Sequence, residues 1–128
     1  MTPETAGLFG AIVLLLLAAF HGALALGAPL GAHAWGGENK GVLPPRQRQG
    51  STFMAPLLAA MALMVLIRAG WLFPDDRRSM VWPVWAVFCF LVMVTFGAIR
   101  SSSIEEKRRM GPVLLVGTVL VGYLALKG

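Results

Sequence analysis

The stretch AGLFGAIVLLLLAAFHGALAL, residues Ala6–Leu26, contains no Asp, Glu, Lys or Arg in 21 positions, and His21 is its only ionisable side chain. An α-helix rises about 1.5 Å per residue, so a helix of this length crosses a hydrocarbon core about 30 Å thick. An uncharged apolar run of this length is typical of a transmembrane helix. We therefore predict that the chain crosses a membrane in this segment.

Three further apolar runs follow: Ser51–Ala69, Val81–Ile99 and Met110–Leu126. The last run has 17 residues, which is near the lower limit for a span. Ser103 stands three residues before Glu106, as in a capping box, so an earlier helix start is open, with Pro112 then kinking a longer helix. The sequence predicts an all-α fold with one domain, 1–128, an integral membrane bundle of four transmembrane helices.

The composition favours this class and excludes others. Of the 128 residues, 57% are hydrophobic and 13% are charged, whereas soluble domains carry about 25% charged residues. The single cysteine, Cys89, rules out a disulfide framework or a cysteine zinc site, and we interpret it as a buried packing thiol. The sequence predicts neither a metal nor a cofactor, and its basic residues lie in short connections that argue against nucleic-acid binding.

The distribution of basic residues predicts the orientation of the spans. The connections after the first and third spans hold seven: Lys40, Arg46, Arg48, Arg100, Lys107, Arg108 and Arg109. The other side holds four: Arg68, Arg77, Arg78 and Lys127. We predict that the side with seven is cytoplasmic and that both termini are outside.

A cleaved signal peptide is an alternative interpretation of the first span, because Ala32-His33-Ala34 resembles a cleavage site. A signal peptide begins with basic residues, whereas residues 1–7 contain Glu4 and no Lys or Arg. We therefore expect the span to be retained.

The segment Gly27–Gly37, GAPLGAHAWGG, is too short to span a membrane and too apolar for an ordinary loop. Its distinctive residues are Gly27, Gly31, Trp35, Gly36 and Gly37. Irregular backbone at membrane depth is tolerated only when it is buried in protein or lines a cavity. Two interpretations stay open: a re-entrant segment that lines a site, or an interfacial turn that Trp35 anchors.

His21 is the one ionisable side chain well inside a span. We expect a neutral imidazole that faces the bundle interior and has a hydrogen-bond partner, because a charged one is costly there. Counting the helical rise from the outer end of each span places His21 at about 22 Å, Thr95 at about 21 Å and Thr52 at about 25 Å. The sequence therefore predicts an intramembrane polar cluster of His21 with Thr95 or Thr52.

The pattern Gly-Ala-Pro-x-Gly-x-x-Ala-Trp-Gly-Gly at Gly27–Gly37 recurs in small proteins that this chain resembles. Leu43-Pro44-Pro45-Arg46, Ser51, Arg68-Ala69-Gly70 and the Ser-x-x-x-Glu-x-x-x-x-x-Pro-Val pattern at 101–113 extend the resemblance. On these residues the chain resembles a group of small uncharacterised four-span bacterial membrane proteins. The resemblance implies a bacterial cytoplasmic (inner) membrane and transfers no catalytic residue.

The function that we expect from the sequence is that of a non-enzymatic accessory or interaction protein in the bilayer. All six acidic residues lie outside the four apolar runs, which disfavours proton-coupled antiport. Expected partners are membrane lipid and a partner membrane protein or a second copy in a homodimer. The alternatives are a binding or transport protein for an apolar small molecule or lipid, which an enclosed apolar site would favour, and a small membrane enzyme.

Overall fold

A computed structural model describes all 128 residues and contains no strand. Its four long helices are α1 (Pro3–Ala25), α2 (Pro45–Ala69), α3 (Val81–Ile99) and α4 (Gly111–Lys127). All four are long and apolar enough to cross a membrane. The predicted all-α four-helix bundle is confirmed, and the chain is a multi-pass membrane protein.

The helix ends follow from local chemistry. Thr2 caps α1 by accepting a hydrogen bond from the Thr5 N–H at 3.2 Å, and Pro3 occupies the first helical position, where no N–H is needed. Helix α2 begins at Pro45 rather than at Ser51, because a proline again starts the helix and its polar first turns lie before the apolar run. It ends at Gly70, whose φ of 92° suits a glycine cap.

The chain is already helical from Ile104, before α4 and its apolar run begin. The Ser103 hydroxyl accepts a hydrogen bond from the Glu106 N–H at 3.4 Å, which is one half of the predicted capping box. The Glu106 carboxylate does not return the bond. A π-helical turn, Glu106–Met110, then leads into α4. Pro112 lies in the first turn of α4, where its missing N–H is tolerated.

Close approach of helix backbones holds the bundle together. Helix α1 packs along α2 and α4, and α3 packs along α4. A Cβ atom on Gly10 would lie 3.2 Å from Val121 Cγ2, and one on Gly117 would lie 2.9 Å from Val13 Cγ1. Glycine at these positions lets helices associate by van der Waals contact where apolar side chains gain nothing over lipid.

At one end of the bundle the α2–α3 connection is closed by two arginines. Arg68 Nη1 donates to the Arg77 carbonyl at 3.2 Å, and Arg77 Nε donates to the Arg68 carbonyl at 3.2 Å. At the same end, Trp71 Nε1 donates to the Glu4 carbonyl at 2.8 Å. These bonds tie the start of α1 to the far end of α2.

The segment Gly27–Gly37 closes the opposite end. It forms two 3-10 turns, and Gly31, Ala32, Ala34 and Gly37 within it are buried. The Ser103 hydroxyl donates to the Ala32 carbonyl at 2.5 Å, and the Gly31 N–H donates to the Gly41 carbonyl at 3.0 Å. The segment is thus packed between the end of α1 and the α3–α4 connection.

Gly7→Ala should destabilise the bundle, because the added Cβ would collide with the Cβ of Ala69 on α2. Overpacking of this kind costs about 1–3 kcal/mol. The matched control is Gly22→Ala in the same helix, where an added Cβ meets no atom within 4 Å. Thermal unfolding in mild detergent should give a lower midpoint for Gly7→Ala only. Equal midpoints would show that α1 and α2 are not in close contact at Gly7.

Gly31→Ala should reduce both accumulation and thermal stability, since its Cβ would collide with the backbone oxygens of Asn39 and Gly41. The backbone cannot yield without losing the Gly31–Gly41 hydrogen bond, so we expect a cost of about 3 kcal/mol. Gly41→Ala is the control, because no atom lies within 4 Å of its added Cβ. Normal abundance and stability of Gly31→Ala would mean that the segment is not packed as described.

Candidate functional site

A cavity of about 250 Å³ lies between the four helices, beside the Gly27–Gly37 segment. It is lined by Leu17, Phe20, His21, His33, Ala34, Trp35, Met54, Leu58, Phe90, Leu91, Val94, Glu106, Met110 and Leu114. Every helix contributes to the wall, which is apolar except for His21, His33 and Glu106. Concave apolar sites with a few polar groups are the usual form of a small-molecule binding site.

Ser51 connects two of the lining side chains. Trp35 Nε1 donates to Ser51 Oγ at 3.0 Å, and Ser51 Oγ lies 3.1 Å from His21 Nδ1. Ser51 is 0% exposed and has no other side-chain partner. An indole can only donate, so the hydroxyl proton of Ser51 is left to bond to His21 Nδ1. The imidazole is therefore the Nε2–H tautomer, and its Nε2 has no hydrogen-bond partner within the protein.

Aromatic packing fixes the orientation of these rings. His21 makes edge-to-face contacts with Phe20 and with Trp35, with ring centroids 5.5 Å and 5.9 Å apart. A Cβ atom on Gly50 would lie 3.1 Å from the Trp35 ring. The glycine before Ser51 thus makes room for the indole that donates to Ser51.

His33 is a second imidazole in the wall. Arg109 Nη1 lies 3.2 Å from His33 Nε2. A guanidinium has only donors, so Nε2 must accept and Nδ1 carries the proton. Nδ1 is buried and has no hydrogen-bond partner, which is uncommon for a buried polar atom.

Two adjacent carboxylates near the cavity have different surroundings. Glu106 lines the cavity, is 8% exposed and accepts a hydrogen bond from Ser101 Oγ at 3.3 Å. Glu105 lies in the connection outside the spans. Its pKa is held below the ordinary value chiefly by a hydrogen bond from its own backbone N–H. The α3–α4 connection therefore keeps Glu105 ionised to lower pH than an ordinary glutamate.

The predicted cluster of His21 with Thr95 or Thr52 does not form. Thr95 is bonded to Thr118 at 2.9 Å inside the bundle, and the exposed Thr52 donates to the Arg48 carbonyl at 2.9 Å. Helix depth alone did not identify the partner, because it does not give the helix face. Ser51 and Thr52 differ by about 100° around the helix axis, and only Ser51 faces α1.

Sequence reasoning missed three members of the site: Ser51, His33 and Glu106. His33 lies in the glycine segment that was singled out, but nothing in that pattern indicated a role for it. Glu106 was placed outside the spans, whereas the early helix start carries it to the cavity wall. The expectation of a buried Cys89 is wrong, because this thiol is exposed on the surface of α3.

Together these side chains offer hydrogen-bond donation within an apolar wall. No group of three His, Cys, Asp or Glu side chains is close enough to hold a metal ion. Comparison with family models, with curated proteins and with solved structures finds no match to this chain. A proposal for its function must therefore be argued from the geometry of the cavity.

Proposed function

We propose that the protein binds an apolar small molecule, or the apolar part of a lipid, in the cavity between its four helices. The observation that carries this proposal is the cavity of about 250 Å³ with an apolar wall drawn from every helix. The cavity is partly open at the surface of the bundle, so a ligand can enter it. A concave site with an apolar wall and a few polar groups favours a small apolar occupant.

A small membrane enzyme is the weaker alternative. The Ser51–His21 pair has the spacing of a nucleophile and its base at 3.1 Å. However, Ser51 is 0% exposed and already accepts from Trp35, so a substrate cannot reach its hydroxyl. The pair is better explained as a support for the His21 ring.

An accessory role in a membrane complex was the expectation from the sequence. The apolar side chains on the outside of the bundle are spread over all four helices, and such a surface faces lipid in any membrane protein. No one face indicates a partner protein or a second copy. The cavity gives the binding role a defined place, so we prefer it.

We also propose a bacterial cytoplasmic membrane as the location, with the cavity and the glycine segment towards the cytoplasm. Support comes from the seven basic residues in the connections at this end, compared with four at the other end. The membrane-facing aromatic residues Trp71 and Trp82 are exposed at the opposite end, where indoles favour the headgroup region.

Single cysteines test the orientation in a Cys89→Ala background. Gly41→Cys, at an open position on the cavity side, should react with an impermeant maleimide only after the cells are permeabilised. Ser79→Cys, at an exposed position on the other side, should react in intact cells. The reverse labelling pattern would show that the protein has the opposite orientation in the membrane.

Filling the cavity tests the binding role. Val94 lines the cavity, whereas Val92 in the same helix is exposed on the lipid side. We expect 2,3-dimethylnaphthalene to raise the unfolding midpoint of the wild type and of Val92→Phe but not of Val94→Phe. A ligand at 100 times its Kd stabilises a protein by about 2.7 kcal/mol, which a thermal scan in detergent detects.

The same two variants can be purified from native membranes in mild detergent, and the small molecules that accompany them can be identified by mass spectrometry. A compound retained by the wild type and Val92→Phe, and depleted in Val94→Phe, would be the natural occupant. Equal midpoint shifts in both variants would place the naphthalene on the surface of the bundle and refute the proposed cavity binding.

A further inference from the structure

One polar atom in the cavity wall is accessible and has no partner within the protein. His21 lacks a partner for Nε2, whereas Nδ1 of His33 also lacks one but is buried away from the cavity space. The bond from Ser51 on the opposite side of the His21 ring makes Nε2 an N–H donor. An N–H in an apolar wall without an acceptor is unfavourable, so an occupant that offers an acceptor gains over a plain hydrocarbon.

The shape of the wall favours a flat ring. Phe20, Trp35 and Phe90 all line the cavity. His21 already holds Phe20 and Trp35 in edge-to-face geometry. A planar occupant can extend this arrangement, because aromatic rings pair well in edge-to-face or offset stacks.

The charges around the cavity favour an occupant whose polar group is neutral. Glu106 in the wall opposes an anion. The N–H donor of His21 disfavours a cationic group, which has no acceptor to offer it.

We infer that the occupant is a neutral flat-ring molecule with a carbonyl oxygen that accepts a hydrogen bond from the imidazole of His21. This inference depends on the proposed binding role and narrows it to one class of ligand. Ring ketones and quinones are the chemical class that fits.

A pair of matched ligands tests the inference. The compounds 2,3-dimethyl-1,4-naphthoquinone and 2,3-dimethylnaphthalene share the fused rings and methyl groups and differ in the carbonyl oxygens. The experiment uses a Cys89→Ala background, so that the exposed thiol cannot contribute to retention of the quinone. Equilibrium dialysis, corrected for partition into empty detergent micelles, should show the quinone bound at least about tenfold more tightly.

Removal of the donor should remove this preference. His21→Phe keeps an aromatic ring beside Trp35 but has no N–H. We expect the ratio of its affinities for the quinone and the hydrocarbon to fall from at least about ten to about one. His21→Leu removes the same N–H with a different side chain, and it serves the same comparison should His21→Phe fail to fold.

The other outcomes distinguish the inference of a carbonyl ligand from the proposed binding role. Equal binding of quinone and hydrocarbon by the parent protein would overturn the carbonyl inference and leave the binding role intact. Tighter binding of 2-naphthoate or of a naphthyl trimethylammonium ion would overturn it in favour of a charged head. Binding of neither neutral ring would remove the proposed binding role as well.

Discussion

The hydroxyl of Ser51 is the point at which α1, α2 and the segment between them meet. It accepts from Trp35 at 3.0 Å and lies 3.1 Å from His21 Nδ1, and it is fully buried. A hydroxyl has one proton and two lone pairs, so this geometry fixes the roles of all three groups. Loss of the hydroxyl would leave an indole N–H and an imidazole nitrogen without partners in an apolar setting. The shape of the cavity at this end depends on these two bonds.

The backbone near Ser51 has a conformation that permits these two hydrogen bonds. Trp35 has a φ of 54°, a left-handed conformation that is unusual for a large side chain, and Gly36 and Gly37 follow at 74° and 71°. Such backbone persists only where the surroundings hold it in place. Here Ser103 bonds to the Ala32 carbonyl and the Trp35 ring packs on Gly50. The Trp-Gly-Gly pattern thus has a structural reason, namely to turn an indole back into the bundle.

Much of the fold could be predicted because a membrane span depends on hydropathy summed over about 20 residues. Helix α3 agrees with the predicted Val81–Ile99, and the differences elsewhere are at ends where polar residues continue a helix beyond its apolar run, as at Pro45. The site was less predictable, because it depends on helix rotation and on loop packing. Depth alone does not separate Ser51 from Thr52. Glu106 reaches the cavity only because the chain is already helical before the apolar run begins.

The polarity of the cavity wall at His21 is set by a group whose chemistry allows only one direction of hydrogen bonding. Trp35 can donate but cannot accept, and it is bonded to Ser51, which in turn is bonded to the imidazole. Through Ser51 it imposes the tautomer in which Nε2 of His21 is a donor. An imidazole by itself can present either a donor or an acceptor, so without Trp35 the wall would have no fixed preference. The proposed preference for a carbonyl oxygen therefore depends on an indole on the far side of the His21 ring.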